Sequence, residues 1–581
     1  MAGWEGDLSP IATSDWTAGR AKHLLDRAGF GGTPEQISEL VALGPEEAVR
    51  RLVDHETVAN DRLPLFDPSP IYDPTLRRFP ETRPAATRLA EETGEAMGVA
   101  VKPSGSRPLQ PVTDRFFYWL RASSLETRRL ANWWAGCMVA SGRPLQEKMA
   151  LFWHGHFATG AEKVRDVRKM QVQLELFRRE GLGNFRTLLI GVAQDPAMLV
   201  FLDAGRNVKD APNENFGREV MELFTMGVGN YTEQDIREAA RAFTGWVDDD
   251  LAFGFDPAKH DAGEKIVLGR RGNWDGVQVL DIILQQDATP RFIAGKIYRY
   301  FVREDLDPAL QRRLGTLLVE NDYELRPLLS TLFLSRDFYS AAAVGTHIKA
   351  PVELIVSTYR RLGLTELPGI PDFNAASREL GQILLDPPTV AGWAQERAWI
   401  TPASLLSRGN FAREVMFPDQ IEFVDPNLDP GPIIREVNRR INAGMDIAAA
   451  TVESTQGEMR AGMEAEANAL AERETFNTRY ASLRGWQEAV RRVKPILRAP
   501  AQFSLAEMVT TAEARTTGEA VDLMLERFLS VKVSETTRAS MVAFLDRQLG
   551  TSDIARARTY LEEPMRLVLH LIMSTPEYQL A

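Results

Sequence analysis

The sequence predicts a mainly α-helical protein, a multi-helix orthogonal bundle that carries one small β-hairpin near residues 251–269. Two observations predict this fold class. Apolar residues recur at helical spacing along most of the 581-residue chain, and capping and stop residues lie at the ends of these runs. A strand pattern occurs only at 251–269, where Phe253 and Phe255 alternate with smaller residues and Ile266 begins a short extended run after a turn.

Composition indicates a soluble globular protein. A hydrophobic content of 44% and a charged content of 25% are ordinary for that class. The net charge of −12 argues against nucleic acid or an anionic membrane as a partner. No run of about 18 apolar residues occurs, so no membrane span is predicted. Residues 1–30 lack the apolar region of a signal peptide, which predicts a cytoplasmic protein as given, or a periplasmic or exported one if a leader was removed.

The N-terminal part reads as helices joined by glycine stops. The first helix, over residues 16–29, ends at a Gly-Phe-Gly-Gly sequence. Thr33, Pro34 and Gln36 then supply an N-cap, a proline at the first helical position and a capping-box partner. Residues 61–112 lack periodicity and are interpreted as a long irregular excursion. Further helices are predicted over 113–141, 145–157, 164–177 and 185–202.

The central stretch, Asn213–Trp246, is predicted to be a helix, a glycine stop and a second helix. Asn213 can accept the first free backbone N–H groups as an N-cap. Gly227 ends the first helix. Thr232 and Asp235 open the second helix in the positions of a capping box.

The first helix of this stretch carries an unusual density of acids. Glu219 lies at the edge of the apolar arc, so it is the carboxylate expected to be partly buried. The opposite face carries an acid, a base and an acid at i,i+4 spacing. That pattern is also typical of a solvated face laced with ion pairs. The residues of this face are Glu214, Arg218 and Glu222.

The C-terminal part contains a faint internal repeat, in which 299–339 resembles 526–579. The repeat predicts that the C-terminal unit packs on the main domain. The predicted organisation is a main helical domain at 1–416, a proline-rich linker at 417–432, a charged helical insertion at 433–495 that could bind a protein partner, and a C-terminal helical unit at 496–581.

Five stretches place polar residues beside breaks in regular structure. They are the central stretch, AKHLLDRAGFGGTP at 21–34, FWHGHF at 152–157, FDPAKHDAGEKIVLG at 255–269 and LLDPPTVAGWAQERAWITPASLLSRGNFA at 384–412. In this composition and order they resemble the signature of the bacterial family called domain of unknown function 1800. The resemblance spans about residues 16–412, with a weaker family-like C-terminal end. It implies a shared site at these positions and no particular reaction.

Besides His23 in the stretch at 21–34, three of the seven histidines lie in these stretches: the candidate residues His154, His156 and His260. For the pair in FWHGHF two interpretations stay open, a favourable interaction with a helix C-terminus and a catalytic role. With Glu219 or Asp261 the pair would make a two-histidine-one-carboxylate metal site. No HExxH, cysteine cluster or calcium loop supports a metal, so no cofactor is evident and a divalent metal stays an alternative.

A site without metal needs two carboxyl groups in different surroundings. Glu219, partly buried, would have a raised pKa and act as an acid, while Glu222 or Asp261 would stay ionised as a base or nucleophile. Tryptophans beside such acids could stack on sugar rings, although core packing is their commoner role. The tryptophans in or beside the five stretches are Trp153, Trp246, Trp274, Trp393 and Trp399.

Two main hypotheses follow, together with a weaker third, a metal-dependent oxidase. The first is a hydrolase or lyase that acts on a polysaccharide or cell-envelope glycan, or on another small-molecule substrate. The alternative is a non-catalytic helical scaffold or binding protein whose polar motifs form a buried structural network. The predicted catalytic residues are Glu219, His154, His156, His260 and Asp261. The predicted substrate-binding residues are Asn213, Glu214, Arg218, Glu222, Trp153, Trp246 and Trp393, and a metal, if present, would use His154, His156 and Glu219.

Overall fold

The computed structural model describes residues 3–60, 63–72, 110–418, 488–497 and 499–581. Across these residues the protein is mainly α-helical with two small antiparallel sheets, which confirms the predicted fold class. Most of the predicted excursion at 61–112, linker at 417–432 and insertion at 433–495 lies outside the described residues. Within the described part, no helix combines the length and apolar character needed to cross a membrane.

The N-terminal half is a succession of helices. They are α1 (Ala18–Ala28), α2 (Pro34–Leu43), α3 (Pro45–Val53), α4 (Gln110–Ala140), α5 (Pro144–His156), α6 (Ala161–Val164), α7 (Val167–Glu180), α8 (Phe185–Ala193) and α9 (Pro196–Phe201). The predicted capping box of α2 is present: Thr33 Oγ1 accepts from the Gln36 N–H, and Gln36 Oε1 accepts from the Thr33 N–H.

The middle of the chain holds all the strands of the described residues. Its elements are α10 (Glu214–Glu219), a π-helical turn (Val220–Thr225), α11 (Glu233–Ala242), β1 (Trp246–Asp249), β2 (Ala252–Phe255), β3 (Lys265–Val267), β4 (Arg270–Gly272), α12 (Gly276–Leu284), α13 (Ala288–Phe301), α14 (Pro308–Glu320) and α15 (Leu325–Leu334). The predicted capping box of Thr232 and Asp235 opens α11.

The C-terminal helices follow. They are α16 (Pro351–Arg361), α17 (Phe373–Glu379), α18 (Pro402–Met416), α19 (Leu505–Thr511), α20 (Thr517–Phe528), α21 (Glu535–Leu549), α22 (Ile554–Ala557) and α23 (Glu562–Met573). Short 3₁₀ turns lie at Thr13–Asp15, His55–Thr57, Ala204–Arg206, Asp337–Tyr339, Glu396–Trp399, Arg558–Tyr560 and Pro576–Gln579.

The predicted single hairpin at 251–269 is wrong in its pairing. Its two extended segments exist as β2 and β3, but each pairs with a different neighbour. β1 pairs with β2, from Trp246 opposite Phe255 to Asp249 opposite Ala252, and β3 pairs with β4. The turn between β3 and β4 consists of Leu268 and Gly269, which both have positive φ, as a type I′ turn requires. Short loops of this kind close at lower entropic cost than the longer predicted turn.

One hydrophobic core runs through the described residues, from Ile11 near the N-terminus to Tyr578. The last residues are hydrogen-bonded to the segment before α16: the Lys349 N–H donates to Gln579 O at 2.8 Å, and the Ala581 N–H donates to His347 O at 2.8 Å. The domain boundaries drawn from the sequence stay predictions.

Candidate functional site

The central helix starts as predicted and then changes its winding. Asn213 caps α10 by accepting the Asn215 N–H at 3.0 Å. From Val220 the chain continues as a π-helical turn, in which the Met226 N–H donates to Met221 O at 3.0 Å. The sequence analysis did not predict this turn. Such turns recur at functional sites because they reorient side chains and carbonyl groups.

The acids of this helix have different surroundings. Arg218 pairs with Glu214 at 3.1 Å and with Glu233 at 2.8 Å, so these groups form a surface ion-pair network. Glu222 accepts the Tyr231 hydroxyl at 2.5 Å. Glu219 is half-buried, and its carboxylate forms no hydrogen bond or ion pair with any described residue. Burial, and next the neighbouring Glu222, raise the pKa of Glu219, the direction expected from its place on the helix.

His154 is a core histidine. It is 1% exposed, and its Nε2 accepts the Leu385 N–H at 2.9 Å. Its ring lies against Trp134 and Trp393, with centroids 5.6 and 5.1 Å away. Burial lowers the pKa of His154 to about 3, so the imidazole is neutral at physiological pH. This hydrogen bond to Leu385 joins the FWHGHF stretch to the stretch at 384–412.

His156 joins the same stretch to the central helix. It is 5% exposed, and its Nε2 lies 3.0 Å from Phe224 O in the π-helical turn. The Lys296 ammonium lies 3.1 Å from its Nδ1. Because a carbonyl oxygen only accepts, Nε2 carries the proton and Nδ1 accepts from Lys296. Burial, followed by the Lys296 charge, holds the pKa of His156 well below its ordinary value.

His260 and Asp261 lie midway along the connection between β2 and β3. His260 Nδ1 is 2.9 Å from Thr244 O, and its ring packs on Phe255 with centroids 5.4 Å apart. Asp261 accepts from Arg241 at 2.7 Å, and this hydrogen bond, opposed by burial, is the main cause of its lowered pKa. Asp261 is therefore an ionised carboxylate held by an arginine, as a base would be.

No hydrogen bond, ion pair or ring contact in the described part of the chain joins any two of His154, His156, Glu219 and His260. Their convergence on one pocket stays a prediction. Over the same described residues, no group of three His, Cys, Asp or Glu side chains is placed to hold a metal ion, so the proposed set of His154, His156 and Glu219 is not assembled as ligands.

The predicted aromatic platforms are inside the protein. Trp153 is 0%, Trp246 4% and Trp393 9% exposed. The Trp153 indole N–H donates to Gly181 O at 2.8 Å. Trp393 packs against His154 and against the backbone of Gly155. These three rings therefore contribute packing and offer no open face for a sugar ring.

A buried ionic network, which the sequence analysis missed, is built around Glu353 at the start of α16. Lys148 on α5 forms an ion pair with Glu353, and both side chains are buried. His347 Nε2 lies 2.8 Å from Glu353, and its Nδ1 lies 2.6 Å from Glu396. Burial opposes the ionisation of Glu353, but Lys148 and His347 outweigh it and hold its pKa well below the ordinary value.

A second buried ion pair, between Asp26 of the stretch at 21–34 and Arg361, lies across a small cavity from this network. Arg361 Nη2 donates to Asp26 at 2.7 Å, with both side chains 1% exposed, and the Ser530 hydroxyl donates to it at 2.8 Å. The cavity between Asp26, Lys148 and Glu353 has a volume of about 10 Å³, which is room for one water at most. The charged residues of the stretches at 21–34 and 384–412 therefore hold helices together here. The sequence did contain a signal for this buried network: Lys148 and Glu353 are opposite charges that each lie within an apolar run.

The hairpin cavity is the larger opening beside the strands, with a volume of about 810 Å³. It lies between the α6–α7 connection, the end of α9 with the following turn, and the β1–β2 hairpin. Its lining combines six acids, six bases and two aromatic rings. The acids are Asp166, Asp203, Asp248, Asp249, Asp250 and Asp256; the bases are Lys163, Arg165, Arg168, Lys169, Arg206 and Lys259; the rings are Trp119 and Phe255.

Most charges in the hairpin cavity are already paired. Arg168 bridges Asp166 and Asp250 at 2.7 and 2.9 Å, and its guanidinium stacks over Trp119 at 5.4 Å. Asp249 and Arg165 are exposed and form no ion pair with any described residue. These two groups are therefore the ones in the lining that are open to a ligand.

Fold and cavities define a helical protein with a buried ionic network at its centre and a polar cavity over a β-hairpin. The chain belongs to the family described as protein of unknown function (DUF1800), whose model matches residues 23–580. This match extends the resemblance seen in the sequence to the C-terminal end. Neither the curated proteins nor the solved structures contain a match.

Proposed function

We propose that the protein binds a polyhydroxylated ligand, a glycan, in the hairpin cavity, and that the family's charged motifs maintain the fold around it. The observation that carries the proposal is the cavity of about 810 Å³ with its mixed lining of carboxylates, cations and aromatic rings. Its volume lies in the range of ligand-binding clefts, about 300–1,000 Å³.

The chemistry of the lining favours hydroxyl groups over a highly charged ligand. A sugar hydroxyl both donates and accepts, so it can bridge an acid and a neighbouring base without displacing their ion pair. Six acids face six bases, so the lining carries no net charge that would attract a polyanion or a polycation. Phe255, 48% exposed, offers an apolar ring for the face of a sugar.

Binding titrations of the full chain with oligosaccharides test this proposal. A panel of neutral and acidic oligosaccharides is titrated calorimetrically into the wild type and into Asp249→Ala and Arg165→Gln. Both variants remove an exposed, unpaired charge, so the fold is expected to survive. Loss of a charged hydrogen bond should weaken binding by roughly tenfold or more.

The matched controls are Asp281→Asn and Arg186→Gln, which change an exposed ion pair of 2.6 Å that does not line the cavity. They should bind like the wild type. If no oligosaccharide binds, or if the cavity variants and the controls behave alike, the proposal is wrong.

A second candidate function is glycan hydrolysis or lysis at the central helix. The half-buried Glu219 carboxyl, its pKa raised by burial, and the adjacent Glu222 favour it, because a raised pKa favours the protonated form that a general acid needs. Glu219→Gln should then abolish turnover of a glycan that the wild type cleaves, with unchanged thermal stability. Glu214→Gln, a change in the neighbouring ion-pair network, should retain activity.

A further inference from the structure

A second cavity, which shares no lining residue with the hairpin cavity, lies between the N-terminal helices and the end of α4. Its volume is about 430 Å³. One wall is apolar and consists of Leu25, Leu40, Leu52, Val58 and Pro144. The other wall contains Arg360 of α16, with Gln36, Asn60 and Ser141 nearby.

Arg360 is a buried cation without an acid. Its side chain is 5% exposed. Nε donates to Gly31 O at 2.9 Å, and Nη1 donates to Val139 O at 2.8 Å, with longer contacts to the carbonyls of Met138 and Ser141. Burial lowers the pKa of Arg360 to about 10, so the group stays charged at neutral pH.

The hydrogen bonds of Arg360 use only some of its N–H donors. Nε satisfies Gly31 O, and Nη1 satisfies carbonyl groups at the C-terminal end of α4, where a cation interacts favourably with the helix dipole. Nη2 makes no hydrogen bond to any described residue. The acid in the lining, Glu39, is engaged by Arg51 at 2.5 Å. The cavity therefore combines two free N–H donors on a buried cation with an apolar wall.

We propose that this cavity binds a monocarboxylate with an apolar tail, with the carboxylate on Nη2 of Arg360 and the tail against the leucine wall. One unpaired cation matches one negative charge, and a buried charge without a partner is costly, so pairing it provides binding energy. A small anion without an apolar tail would leave the apolar wall exposed to water. A neutral apolar chain would leave the Arg360 guanidinium without a counter-ion.

Sodium octanoate and 1-octanol are the probes, titrated calorimetrically into the full chain at equal ionic strength. Octanoate should bind one to one, and octanol should bind roughly tenfold more weakly or not at all, because it lacks the charge that pairs with Arg360. Equal binding of the two probes, or no binding of octanoate, would overturn the proposal.

Two variants locate the site. Ala59→Trp fills the cavity from an exposed position and leaves Arg360 in place, so it should weaken octanoate binding roughly tenfold without loss of folding. The control, Ala262→Trp, adds the same ring at an exposed position outside the cavity and should bind like the wild type. Arg360→Gln should also lose octanoate selectivity if it folds. Unchanged affinity in Ala59→Trp contradicts the assignment.

Discussion

Replacement of Glu353 by glutamine should be strongly destabilising. The carboxylate is the only acid that Lys148 pairs with among the described residues, and it also accepts from His347 Nε2 and from the Ala350 N–H at 2.8 Å each. Glutamine keeps the shape but presents an NH₂ group either to the Lys148 ammonium or to His347 Nε2. The charge of Lys148, 2% exposed, then has no counter-ion.

The expected cost follows from the burial of both partners. Removal of one member of a buried ion pair typically costs about 3–5 kcal/mol, because the remaining charge stays desolvated. The surface pair of Arg186 and Asp281, with side chains 48% and 35% exposed, should contribute at most about 1 kcal/mol. Asp281→Asn is therefore the matched control for Glu353→Gln.

The assay is urea unfolding at pH 7, followed by tryptophan fluorescence, with the change in free energy taken from the shift in midpoint at constant slope. At this pH Glu353 is ionised in both states, and its stabilising effect should be lost as the pH falls from the ordinary glutamate range toward its depressed folded pKa.

The double variant Lys148→Met/Glu353→Gln tests the cause. It should lose less stability than the sum of the two single variants, by about 1–3 kcal/mol, because no buried cation is left unpaired. A cost for Glu353→Gln below about 1 kcal/mol, or simple additivity in the double variant, would refute the reasoning.

Three further predictions follow from the other buried groups. His154→Phe should destabilise the protein by about 1–3 kcal/mol in urea unfolding, because the Leu385 N–H loses its acceptor. Burial lowers the pKa of Lys296 to about 8, so competitive acetylation should give half-maximal reactivity near that pH. Burial raises the pKa of Asp195 to about 7; the folded state then holds a proton that the unfolded chain has lost, so stability should fall as the pH rises from about 4 to 7, and Asp195→Asn should remove that dependence.

Local sequence signals predicted local structure. Capping boxes at Thr33 and Thr232 were visible because both partners lie within one turn, and the two helices that they open start where they were expected. The run predicted as one helix at 185–202 is instead two helices, because Asp195 caps a new helix that begins with Pro196. Strand pairing was not predictable at 251–269, because two short hairpins and one longer hairpin use the same extended segments. The π-helical turn depends on contacts such as that between Phe224 O and His156, which join distant parts of the chain.

The candidate site was predictable only in part. The raised pKa of Glu219 followed from its place at the edge of an apolar arc. The roles of Glu353 and Arg360 did not, because a charged residue in an apolar run reveals neither its partner nor its depth. Lys148 and Glu353 lie 205 residues apart in sequence. The hairpin cavity likewise arises from segments that meet only in the folded chain.

Hydrogen–deuterium exchange tests the proposed function most directly. The full chain is compared without ligand and with a saturating concentration of the oligosaccharide that binds most tightly in the titrations. Protection is predicted in the β1–β2 hairpin and the α6–α7 connection, which carry Asp249 and Arg165, the two lining charges that form no ion pair with any described residue. Protection confined to α10 and the π-helical turn, with unchanged exchange in the hairpin, would contradict the account and place the ligand at Glu219.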